Sequence, residues 1–85
     1  MLDKINKLIE TKFTDESGAI VKYDEDGNNI VDIIEELFSN DTTIKEHSID
    51  MDTVFENPGC EFSYLSIAYI YNNKLEHITY IVETY

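Results

Sequence analysis

The sequence has no tryptophan and no arginine, and it holds one cysteine, one proline and three glycines in 85 residues. A single thiol, Cys60, excludes an intramolecular disulfide, whereas a secreted domain of this size ordinarily carries several. No stretch approaches the run of about 18 apolar residues that a membrane helix needs. The opening Met1-Leu2-Asp3-Lys4 places charges where a secretory signal requires an apolar segment. The expectation is therefore a cytoplasmic chain that does not cross a membrane. No repeats, low-complexity segments or linkers stand out, and the lone Pro58 sits in a turn signal, Asn57-Pro58-Gly59. Residues 1–85 are taken as a single acidic domain, small enough that only about 60% of its unfolded surface can be buried.

Positive charge is the scarcest property of all. Eighteen acids face six lysines, for a formal net charge of −12. The imbalance is local. Asp3, Glu10, Asp15 and Glu16 are matched by Lys4, Lys7, Lys12 and Lys22. Between residues 23 and 73 there are twelve acids and only Lys45, a sum of −11. A surface of that sign repels phosphate, so direct binding to DNA or RNA is excluded. It also opposes its own compaction and draws in positively charged partners.

What the chain does have is apolar material in clear periods. Leu2, Ile5, Leu8, Ile9 and Phe13 fall on one stripe and predict a helix from about Leu2 to Phe13. Ile30, Ile33, Ile34, Leu37 and Phe38 predict a second helix from Ile30 to Ser39. Asn29 is its N-cap candidate, Asp32 stands in the first turn and Asn40 can close it. Ala19 to Tyr23 reads as a short strand or a single helical turn between two polar turns. Thr42 to Ile49 reads as a moderate strand and Asp50 to Glu56 as irregular. Cys60–Tyr71 and Lys74–Tyr85 are rich in Ile, Tyr, Val and Thr and flank Asn72-Asn73, a two-residue hairpin turn. That turn sets Tyr71 opposite Lys74, which pairs Leu65 with Tyr80, Ile67 with Ile78 and Ser63 with Val82 on the apolar face. The mixed face pairs Ser66 with Thr79, Ala68 with His77 and Tyr64 with Ile81. The predicted fold class is α+β: two short helices packed on a small antiparallel sheet ending in a C-terminal hairpin.

Catalytic constellations are poorly represented. Cys60 with His47 or His77 is the only thiol–imidazole combination, and Cys60 follows a Pro-Gly turn rather than starting a helix, where thiols are commonly activated. Carboxylates are so numerous that their pairing carries no information, and no tryptophan is present to line a sugar cleft. Glycine-rich phosphate loops, paired zinc cysteines and the HExxH motif are all missing. The expectation is a protein that is not an enzyme and uses no cofactor.

One local pattern is more specific. Asp24-Glu25-Asp26-Gly27-Asn28-Asn29-Ile30-Val31-Asp32-Ile33-Ile34-Glu35 resembles a twelve-residue EF-hand calcium loop, with Asp24, Asp26, Asn28, Asp32 and Glu35 at oxygen-ligand positions and Ile30 offering a carbonyl. It departs from that family at Asn29, where the loop needs glycine, and in the short segment that precedes it. The alternative is a strand-to-helix turn with a capping asparagine, and no metal site is assigned.

In length, charge and α+β composition the chain is similar to the small acidic inhibitors encoded by bacteriophages, among them uracil-DNA glycosylase inhibitors and some anti-CRISPR proteins. The resemblance lies in size and charge alone and implies a DNA mimic whose acidic surface occupies a basic, nucleic-acid-binding site on a target protein. Charge density marks Asp24, Glu25, Asp26, Asp32, Glu35 and Glu36, six acids in 13 residues without a base, as the partner-binding candidates. Two other functions fit the same residues: an immunity protein or antitoxin directed at a basic toxin, and a calcium-binding module built on the loop above.

Overall fold

The computed structural model describes the backbone of residues 1–57 and 60–83, and side chains outside 54–61. Pro58-Gly59 of the turn signal, and the side chains of Asn57 and Cys60, therefore lie outside the described residues. Each helix forms where its apolar row can be buried. α1 (Leu2–Lys12) and α2 (Ile30–Ser39) bury matching i, i+4, i+8 rows: Ile5, Ile9 and the cap residue Phe13 from the first, Ile30, Ile34 and Phe38 from the second. Leu8, Ile33 and Leu37 flank these rows and are partly buried.

The capping of α2 follows the sequence. The Asn29 side chain accepts a hydrogen bond from the Val31 N–H at 2.8 Å. This satisfies one of the backbone donors that a helix start leaves open. At the other end the Asn40 N–H donates to the Glu36 carbonyl at 3.1 Å.

β1 (Ile44–Asn57), β2 (Cys60–Tyr71) and β3 (Lys74–Glu83) form an antiparallel sheet in that order. Asn72 and Asn73 take φ values of 52° and 62°, the left-handed pair that a tight two-residue hairpin requires. The register is the one the turn dictates, with Tyr71 opposite Lys74, Ile67 opposite Ile78, Tyr64 opposite Ile81 and Ser63 opposite Val82. Ser63, Leu65, Ile67, Tyr69 and Val82 are buried against the two helices. The fold is α+β, two helices laid on one face of a three-stranded sheet. The opposite face leaves Tyr64, Leu75 and Ile81 exposed.

Two segments differ from expectation. Asp50–Glu56 is not irregular: it continues β1, pairing Met51 with Leu65 and Thr53 with Ser63. Met51 is partly buried while Asp50 and Asp52 are exposed, so the strand alternates as a half-buried strand should. Ala19–Tyr23 forms isolated bridges, Ile20 with Thr14, Val21 with Glu83 of β3 and Tyr23 with Asn29, and no strand of its own. It is tied at three points, by Val21 N–H to Phe13 C=O (2.8 Å), Glu83 N–H to Ile20 C=O (2.8 Å) and Ile30 N–H to Lys22 C=O (2.9 Å). The segment thus binds the end of α1, the end of β3 and the start of α2 together.

Candidate functional site

The acidic candidates fall into two groups. Asp24, Glu25 and Asp26 sit in the turn before α2, and Asp32, Glu35 and Glu36 lie along it. In the turn, Gly27 takes φ of 84° and its N–H donates to the Asp24 carbonyl at 3.1 Å. The Asp24 carboxylate accepts from the N–H groups of Asp26 (3.0 Å) and Asn28 (2.8 Å) and from the Asn28 side chain (3.1 Å). These bonds hold its pKa below the ordinary value of 3.8: the Asn28 backbone donor has the largest effect, desolvation acts against it, and Lys12 adds a small attraction.

The turn leads from the Ala19–Tyr23 segment into α2, and its conformation departs from the calcium-loop pattern at one point. The left-handed residue is Gly27, not Asn29, whose φ is −75°. The first candidate ligand, Asp24, accepts hydrogen bonds from the turn's own donors. Among the described residues no group of three or more His, Cys, Asp or Glu side chains is placed to hold a metal ion.

A second turn has the same construction. Asp15-Glu16-Ser17-Gly18 repeats the Asp-Glu-x-Gly order of Asp24-Glu25-Asp26-Gly27 nine residues earlier. Gly18 takes φ of 87°, and the Asp15 carboxylate accepts from the N–H groups of Ser17 (2.9 Å) and Ala19 (3.0 Å). The two turns border one concavity of about 440 Å³. Its wall includes Asp15, Glu16, Asp24, Glu25 and Asp26, with Lys12 as the single base and Tyr23 more than half exposed. Asp15 and Glu16 were not among the sequence candidates. The recurrence of Asp-Glu-x-Gly was the signal that could have found them.

Along α2 the acids divide again. Asp32 and Glu36 are exposed, and their carboxylates form no hydrogen bond or ion pair with another described residue. The same holds for Glu25 and Asp26. Glu35 is instead paired with His47 of β1 at 2.5 Å, and the His47 ring stacks on Phe38 at 4.9 Å between centroids. Glu35 therefore contributes to fastening α2 onto the sheet, and Asp32, Glu35 and Glu36 do not line the concavity between the turns.

His47 points to the helix face of the sheet, while His77 lies on the outer face opposite Ala68. The two imidazoles are thus separated by the sheet. Tyr69 is buried and donates its hydroxyl to Glu76; desolvation, then this partner, pushes its pKa well above the ordinary 10. The Tyr80 hydroxyl donates to Asn6 of α1. Tyr69 thus links β2 to β3 within the sheet, and Tyr80 links the sheet to α1. No protein family, curated protein or solved structure matches this chain.

Proposed function

We propose that the protein works by binding rather than catalysis, as an inhibitor whose acidic surface occupies a basic, nucleic-acid-binding site on another protein. The observation that carries this is the set of exposed carboxylates without a partner among the described residues: Glu25, Asp26, Asp32 and Glu36. Charges held this way repel one another in the free protein. Asp32 and Glu36 are one helical turn apart, a spacing at which like charges destabilise a helix. A cationic groove removes that repulsion on contact, and the net charge of −12 speeds encounter with such a groove. The Asp24–Asp26 turn and the outer side of α2 form the contact, and the protein itself binds no nucleic acid. In this class of action it parallels the phage-type inhibitors to which its size and charge are similar.

Competition tests the proposal. The protein is immobilised, host lysate is passed over it at low salt, and retained proteins are eluted with high salt. Each eluted protein is then assayed for nucleic-acid binding with increasing amounts of the free chain. The proposal requires a basic protein that loses its DNA or RNA as the chain is added. Retention only of proteins whose nucleic-acid binding is unaffected, or micromolar binding of DNA by the chain itself, contradicts it.

A further inference from the structure

The two layers of the fold leave one side of the sheet bare. Both helices pack on the face that holds Leu65, Ile67 and Val82. Residues alternating with these point the other way, and on the solvated face of an antiparallel sheet such residues are ordinarily polar. Here Phe62, Tyr64 and Ile70 of β2, and Leu75 and Ile81 of β3, take the outward positions. Leu75 is 73% exposed, Ile81 58% and Tyr64 39%. The Tyr64 ring meets Phe62 edge to face, with 5.3 Å between centroids. The largest side chain of the patch is thus supported before any contact is made.

The apolar groups stand at two ends. Ile70 pairs with Leu75 beside the hairpin turn, and Tyr64 pairs with Ile81 at the far end. Smaller residues, Ser66, Ala68 and Thr79, lie between them, and a hollow of about 140 Å³ opens beside Ala68, Ile70 and Leu75. At the rise of a strand the two ends are about 20 Å apart, and three strands make the face about 10 Å wide. A helix of about 13 residues has that length and that width.

Charge is uneven around this patch. On the β1 side Asp52 pairs with Tyr64 and Asp50 with Ser66, both acids are exposed, and Glu46 borders the hollow. Glu83 lies opposite Phe62 at the far end, and on the β3 side His77 and Thr79 separate Leu75 from Ile81. No lysine offsets these acids on the face. Lys74 pairs with Tyr71 and falls on the helix side of the register, and Lys45 stands in the irregular stretch between Ile44 and His47.

We propose that the outer face of the sheet seats an amphipathic helix of another protein. Its apolar stripe lies on Tyr64, Ile81 and Leu75, and a row of Lys or Arg follows the β1 margin against Asp50 and Asp52. Charge selects this occupant among those an apolar face admits. A second copy would press Asp50 and Asp52 against a chain that itself carries −12, and the apolar rows of its own helices are buried. Phosphate groups, of anionic lipid or of nucleic acid, would meet the same acids. A third layer on the sheet completes a helix–sheet–helix stack. The proposal is independent of the acids between Asp24 and Glu36, because α2 lies on the other side of the sheet.

A synthetic stapled helix of about 14 residues, with Leu and Ile on one stripe and Lys along one margin, tests this by titration into the isotope-labelled chain. Amide shifts should map to outward residues of β2 and β3 and to Asp50 and Asp52, leaving α2 unmoved. Tyr64→Thr with Ile81→Thr keeps residues that suit a strand and should weaken binding by about 10-fold or more. Leu75→Thr, at a more exposed position, carries the same test if the double variant does not fold. Asp50→Asn with Asp52→Asn should weaken binding less and flatten its dependence on salt. Shifts confined to Asp24–Glu36 overturn the proposal, as does undiminished binding by the Tyr64 and Ile81 variant. So does equal binding of a peptide with Glu in place of Lys, or a parent that sediments as a dimer until Tyr64 and Ile81 are replaced.

Discussion

The C-terminal hairpin and the acidic segment from Asp24 to Glu36 divide the work of the molecule. Leu65, Ile67, Tyr69 and Val82 of the hairpin are buried, so their side chains are spent on the core. The acidic segment contributes Ile30 and Ile34 to that core but turns Glu25, Asp26, Asp32 and Glu36 to solvent. In the hairpin buried and exposed residues alternate along each strand, whereas in the acidic segment the exposed positions are mostly carboxylates. The lesson is that a high charge density need not coincide with stabilising electrostatics. Within this segment the charges that help folding, Asp24 and Glu35, are those with hydrogen-bond partners, Asp24 in its own turn and Glu35 at His47 of β1.

The largest test of this division lies in the hairpin. Ile67→Ala removes a fully buried side chain at the centre of β2 and should cost on the order of 2–5 kcal/mol. Chemical denaturation measures it, and a midpoint close to the parent's would show that the core lies elsewhere. Tyr69→Phe deletes one hydroxyl and its bond to Glu76, and should cost about 1 kcal/mol. In the acidic segment the comparable loss comes from an amide: Asn29→Ala removes the cap on Val31 and should also cost about 1 kcal/mol. Glu36→Gln should have the opposite sign, a gain of about 0.2–0.5 kcal/mol as the repulsion from Asp32 is relieved.

The smallest effect is expected at Asp24. Its pKa is depressed in the folded chain, so its stabilising contribution is present above the unfolded value and is lost as the pH falls through the lower folded one. Below about pH 3.8 the parent should lose stability that an Asp24→Asn variant lacks at every pH. Unfolding curves across that range should converge. Parallel curves would mean that the turn does not depend on the carboxylate.

Much of this organisation was legible in the residues because it is local. Asn72-Asn73 fixes the hairpin register, since few other dipeptides accept two positive φ values. The i, i+4, i+8 rows locate both helices. Asp50–Glu56 was misread because its acids mask the alternation, and only its pairing with Leu65 and Ser63 reveals which side faces inward. Ala19–Tyr23 could not be assigned because its backbone bonds go to Phe13, Ile30 and Glu83, outside the segment itself. The candidate site suffered for the same reason. Helix periodicity places Asp32, Glu35 and Glu36 off the apolar stripe, but nothing near Glu35 in sequence announces His47, twelve residues away. Nor does local pattern bring Asp15 and Glu16 to the same concavity as Asp24–Asp26.

The central claim is that the unpartnered acids serve contact and not folding. The most direct test is one variant, Glu25→Gln, Asp26→Asn, Asp32→Asn and Glu36→Gln together, measured twice. Thermal unfolding reports on the fold, and the association rate with the captured basic target, read across a salt series, reports on contact. The account predicts unfolding at or above the parent's temperature, slower association, and a flatter dependence on salt. A variant that unfolds early, or that binds the target as fast as the parent at every salt concentration, would contradict it.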